Sequence, residues 1–174
     1  MKLVEEFRSV DFTGNAHDEA IRIAGPPWPT AVSVHILETE LIGPVISRDL
    51  AKRDGVATVN DPSRVAMVHT RTRPAASADW AAAAGTTLPQ GADETWFDHY
   101  YFLLQELRAG LGMGVVPELL APEDLARGQL IAPFGFVESD SSYLVATRAD
   151  ESRPEVWAFR PRVIEEFARD AQGA

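Results

Sequence analysis

Apolar positions along this chain change their period in an ordered way. Phe97, Tyr100, Tyr101, Leu104, Leu107 and Leu111 recur at helical spacing. Asp93 or Thr95 is placed to cap that helix, and Gly110 stands where a left-handed stop belongs. Gly114-Val115-Val116-Pro117 then reads as a short buried strand. Pro122 suits a first helical position, with Glu123 and Asp124 at the positive helix end. Gly128 closes this second helix, and Gln129 to Ile131 is extended. From Trp96 to Phe134 the order is therefore helix, glycine stop, strand, helix, strand.

The flanking segments are shorter and more interrupted. Lys2 to Phe7 and Asp18 to Ile23 read as strands, and Gly25-Pro26-Pro27-Trp28-Pro29 then breaks regular structure. Val32 to Ile46 is β-branched and extended, with an interruption expected at Gly43-Pro44. Ser47 to Arg53 is one helical turn or two, stopped at Gly55. Val65 to His69 is a short apolar strand. Ser77 or Asp79 is placed to cap an alanine-rich helix that Gly85 closes. Tyr143 to Thr147 is another strand. A last helix starts near Pro154, and Pro161 should kink it or shift its start. Short strands alternating with helices predict an α/β fold with parallel pairing.

Composition narrows the function. The chain has 174 residues, 45% of them hydrophobic, enough for one or two lobes with a real core. Its 16 basic and 26 acidic residues leave a formal charge of -10. Lysine occurs only at Lys2 and Lys52 and the arginines are dispersed, so the chain lacks the basic face that duplex binding needs. No apolar run reaches the length of a membrane span, and acids interrupt the N-terminal stretch where a signal peptide would have its apolar core. A cytoplasmic protein fits best. There is no cysteine, which excludes disulfides, thiolate metal sites and a cysteine nucleophile.

Candidate chemistry is sparse. Gly110-Leu111-Gly112-Met113-Gly114 follows a helix and opens a strand, the reverse of a dinucleotide loop, and reads as a helix stop with close backbone packing. His17-Asp18-Glu19 and Asp93-Glu94 with Asp98-His99 lack metal-ligand spacing, so no metal or cofactor is expected. No GxSxG elbow accompanies Asp98 and His99, and no enzymatic set emerges. His69-Thr70-Arg71-Thr72-Arg73 is different. It follows an apolar strand, and ligands of open α/β sheets gather beyond the carboxyl ends of strands. Hydroxyl and guanidinium donors there suit an anionic small molecule, although an ordinary solvated loop has the same composition.

The ordered series of segments resembles the effector-binding domain of LysR-type transcriptional regulators, most closely the glycine-cleavage-activator branch. Val10-Asp11-Phe12 followed by Asp18-Glu19-Ala20-Ile21-Arg22, Trp28-Pro29, and Leu37 to Ser47 carry the first part. Arg73-Pro74, Trp80 and Ala84-Gly85 continue it. Leu125-Ala126, Gly128, Leu130-Ile131, Pro133-Phe134, Tyr143-Leu144-Val145 and Ala158-Phe159-Arg160 complete it. No single piece is specific; their order is.

The resemblance implies a periplasmic-binding-protein type 2-like fold, two α/β lobes joined by two crossing strands with an effector in the cleft. Residues 1–41 and 141–174 would form the first lobe and 42–140 the second. It implies a sensor of a small, anionic metabolite that shifts lobe closure and thereby transcription. Matched positions place His69, Thr70 and Arg71 on a cleft loop, Phe97 and Asp98 at a helix start, and Glu5 or Glu6 at the end of a first-lobe strand. Arg71 would hold the effector anion, Thr70 would act as a neutral donor and Phe97 as an apolar wall. Asp98 would select an amine or hold Arg71. The family's winged helix-turn-helix, linker helix and first sensor strand and helix have no counterpart here, so DNA would be reached only through a separate domain. A first lobe incomplete in this way should self-associate as a homo-oligomer and bind effector weakly. Alternatives are a free-standing small-molecule-binding protein of the same fold and a dominant-negative partner of intact regulators.

Overall fold

The computed structural model of the chain describes Val4, Phe12 and residues 17–56, 65–88 and 94–170. These residues fall into two units, one holding those up to Glu40 and from Asp140 onward, the other Leu41–Ser139. The backbone passes between the units twice, within strands β2 (Val32–Ser47) and β7 (Val137–Arg148).

The Leu41–Ser139 unit is built around a mixed sheet. Strand β5 (Met113–Pro117) runs antiparallel to β2, with Ile42 opposite Pro117 and Ile46 opposite Met113. It runs parallel to β3 (Met67–Thr70), which in turn is parallel to β4 (Glu94–Phe97). The two-residue strand β6 (Leu130–Ile131) pairs with the end of β2. Among the described residues of this unit, pairing is thus parallel for β5, β3 and β4 and antiparallel for β2.

Period-two alternation divides the core of this unit into two layers. Val45 and Val116 face one side, where Leu103, Leu104 and Leu107 of helix α3 (Tyr100–Arg108) cover them. Ile42, Ile46, Met113 and Val115 face the other. There Trp80 of α2 (Ala76–Ala83) and Leu50 of α1 (Arg48–Asp54) pack on them. Leu103 and Leu107 are fully buried, each contributing about 2 kcal/mol of apolar transfer. A sheet covered on both faces needs continuous apolar strands, which explains why β3 and β5 show no polar alternation.

Local signals set several boundaries. Ser47 caps α1 by accepting a hydrogen bond from the Leu50 amide at 3.2 Å, and Gly55 closes it in the left-handed conformation, φ 69°. Pro122 opens α4 (Pro122–Ala126), as expected of its position. The glycines after α3 serve close packing: a Cβ on Gly114 would lie 2.8 Å from the Val68 carbonyl oxygen on β3.

In the other unit β1 (Glu19–Ala24) is antiparallel to β7, with Glu19 opposite Thr147 and Ala24 opposite Ser142. Leu144 and Ala146 pack with Phe12 and against Ala20, Trp28 and Val34. On the opposite face Tyr143 meets Phe167 of α6 (Arg160–Asp170), ring centroids 5.6 Å apart. Helix α5 (Pro154–Trp157) precedes α6. Arg153 ties the start of α5 to β7 and β1, donating to Glu151 at 2.7 Å and to Asp18 at 2.6 Å.

Four expectations change. Gly43-Pro44 does not interrupt β2; Pro44 sits opposite Val115, and Gly43 leaves room for the Phe136 ring. The helical run expected from Phe97 begins only at Tyr100, with His99 at the cap, because Glu94–Phe97 pairs as a strand. Ser77 and Asp79 lie inside α2, whose cap is Ala75. The single last helix expected from Pro154 is two, and of the alternatives for Pro161 the shifted start holds, since the second helix opens at Arg160. The strand expected at Lys2–Phe7 lies outside the described residues.

Candidate functional site

The carboxyl ends of parallel strands β3 and β4 lie side by side, with Thr70 opposite Phe97. Each strand gives way at that edge to a helix, α2 after β3 and α3 after β4. Four of the six residues expected to bind effector, Thr70, Arg71, Phe97 and Asp98, come together here. His69 sits one residue back on β3, and Glu6 lies outside the described residues.

The backbone ties the two ends together. The Arg71 amide donates to the Phe97 carbonyl at 2.8 Å, extending the ladder by one bond. The Arg73 amide donates to the Thr70 carbonyl at 3.3 Å, so the chain turns sharply after β3. Thr70 shapes that turn. Its hydroxyl is buried, lies 2.8 Å from the Thr72 hydroxyl and accepts from the Thr72 amide. Thr72, not Thr70, is the exposed hydroxyl of the pair.

Arg71 and Asp98 project from these turns. Their side chains meet at 3.3 Å, Nε to Oδ1, and are 67% and 73% exposed. An ion pair so open to water contributes about 0–1 kcal/mol and separates readily. Phe97 is half-buried against the α3 side of the core, together with Tyr100.

His69 points to the opposite face of the sheet from Thr70, as strand alternation requires. Its ring stacks on Trp96 with centroids 4.7 Å apart. Its Nδ1 lies 3.4 Å from the Ser77 hydroxyl, and its Nε2 4.0 Å from the Glu94 carboxylate. Burial lowers its pKa from the ordinary 6.5, an effect that Glu94 partly opposes. A neutral imidazole clamped between α2 and β4 braces the edge from behind. The sequence reading missed Trp96 and Ser77 as its partners, because β4 has only four residues and no alternation to announce it.

Two shallow hollows, about 240 and 480 Å³, lie elsewhere, one lined by Ile36, Ile164 and Phe167, the other by Arg48, Arg53 and Arg108. Among the described residues no group of three or more His, Asp or Glu side chains is placed to hold a metal. No helix among them is long and apolar enough to cross a membrane.

The model of the LysR substrate binding domain matches residues 6–168. The chain belongs to the LysR substrate-binding domain family. The chain is similar to the HTH-type transcriptional regulator TrpI of Pseudomonas aeruginosa, 39% identical over 130 residues, which are 71% of this chain and 43% of TrpI. It therefore spans less than half the length of that regulator. Among solved structures it is similar to the effector domain of the regulator AmpR of Pseudomonas aeruginosa, with TM-score 0.76 and 22% identity, covering 97% of this chain and 81% of that one. The AmpR effector-binding domain of Citrobacter freundii gives TM-score 0.75 and 20% identity over 94% of this chain and 81% of that one. Likeness at these identities shows the fold, the periplasmic-binding-protein type 2-like architecture.

Proposed function

We propose that this LysR-type effector-binding domain senses a small molecule bearing an acidic group, held at the β3–β4 edge by Arg71. The parent regulator would act in the cytoplasm, reaching DNA through a separate domain and coupling occupancy of this edge to transcription. One observation carries the reading: Arg71 presents an exposed guanidinium at adjoining carboxyl ends of two parallel strands, where α/β sheets bind ligands. Its backbone is fixed by the hydrogen bond to Phe97, so the side chain projects from a set point and can take an acid in bidentate fashion. Asp98 holds the guanidinium when ligand is absent, Thr72 supplies a hydroxyl and Phe97 an apolar floor.

The test is calorimetric titration of small organic acids into the chain and into Arg71→Ala. We expect the variant to fold normally, since Arg71 is exposed, and to lose about ten-fold or more in affinity, the usual worth of a charge-assisted pair. Equal affinity in the two proteins would refute the assignment.

A further inference from the structure

We propose that the ligand of this edge is a zwitterion of the α-amino acid class, its carboxylate taken by Arg71 and its ammonium by Asp98. The inference rests on the reading of the edge as the effector site and adds the chemical class that the site selects.

The two charges at the edge are opposite, unequal in origin and held at a set spacing. Arg71 follows β3 and Asp98 follows β4, and the residues before them, Thr70 and Phe97, are directly paired. The Arg71 amide bond to the Phe97 carbonyl carries that register into the turn. The spacing of the guanidinium and carboxylate is therefore set by the sheet and not by a flexible loop. The two side chains meet at 3.3 Å while both remain largely in water. Such a pair opens at little cost.

A simple anion fits this arrangement poorly. To reach Arg71 it must displace Asp98 and leave that carboxylate close to the incoming charge, in a chain whose formal charge is already -10. A simple amine meets the mirror problem at Arg71. A molecule carrying both charges on neighbouring atoms replaces the internal ion pair with two external ones. No like charges are brought together, and neither protein side chain is left unpaired. The same geometry rejects each half-charged analogue by repulsion, which builds specificity alongside affinity. His69 takes no part in this recognition, since it lies on the other face of the sheet and is turned toward Ser77 and Trp96.

The experiment uses the chain as it stands. The twenty common α-amino acids are titrated calorimetrically, each alongside the carboxylic acid lacking its amino group and the amine lacking its carboxylate. The proposal expects at least one amino acid to bind, with its deaminated acid and its decarboxylated amine each about ten-fold weaker or worse, the scale of one charge-assisted hydrogen bond. Asp98→Asn should cut amino-acid binding while leaving the carboxylic acid unchanged or tighter. Arg71→Gln should weaken both. A carboxylic acid that binds wild type as well as its amino acid does, with Arg71→Gln still harmful, overturns the zwitterion and spares the site. Binding indifferent to both substitutions, or no binding by any member of the three sets, overturns the zwitterion and the site together.

Discussion

Three side chains show how position within a strand decides a role that residue type leaves open. Thr70 and His69 are neighbours in sequence, and both carry groups suited to a polar ligand. Alternation sends them to opposite faces, and each is engaged there, Thr70 with Thr72 and His69 with Ser77. Arg71, one step beyond the strand, escapes that constraint and reaches solvent. Away from this edge, Glu151 is the most strongly perturbed acid among the described residues. Hydrogen bonds from the Arg153 side chain and backbone hold its carboxyl down at about 2, against an ordinary 4.5. As pH falls, the unfolded chain takes up this proton first, so the stabilisation is whole above about 4.5 and gone by about 2. Glu151→Gln should therefore melt below wild type at pH 7, and the two melting curves should converge near pH 2. A constant gap across that window, followed by circular dichroism, would show that the Arg153 contacts do not stabilise through the charge.

At the scale of elements, glycine sets how closely strands approach. A Cβ on Gly114 would sit 2.8 Å from the Val68 carbonyl, a backbone atom that cannot swing aside. Gly114→Ala should push β5 from β3 and cost about 1–3 kcal/mol in urea denaturation, the range of overpacking in a tight core. A loss under about half a kcal/mol would mean that the strands separate more easily than their packing implies. The same scale marks what sequence could and could not tell. Helix stops at Gly55, Gly110 and Gly128 were legible because a positive φ leaves a residue signature. Helix α3 was legible from its apolar spacing, but its start was not. Strand β4 has four residues, and its Trp96 and Phe97 extend the helical pattern of α3 backward until pairing with β3 claims them. Gly43-Pro44 misled in the opposite sense, since in β2 it sits where β5 and the Phe136 ring accept it. Of the proposed site, Arg71 was open to a reading from the apolar strand before it, and Asp98 came from the family resemblance at a helix start. The backing of His69 by Trp96 and Ser77 could not be read from sequence, as it depends on a contact across three elements.

For the whole molecule, family membership gives the proposed site at the β3–β4 edge its context. The relatives are transcription regulators, and a sensor needs affinity that differs between states more than it needs reactive groups. Self-association belongs to this scale. Among the described residues strand β1 ends the strand order, and its Ile21 and Ile23 are 45% and 40% exposed. Apolar side chains on an edge strand invite a second chain. Light scattering should report a mass above 19.0 kDa that falls on dilution, and Ile21→Lys should lower it. A single mass of that value at every concentration would rule self-association out. That the β3–β4 edge receives the effector is tested most directly by amide chemical-shift mapping during titration with a bound small acid or amino acid. The largest shifts should fall at Arg71, Thr72 and Asp98, with smaller ones at Phe97 and Ser77. Saturable shifts centred on other residues, leaving Arg71 and Asp98 unmoved, would contradict it.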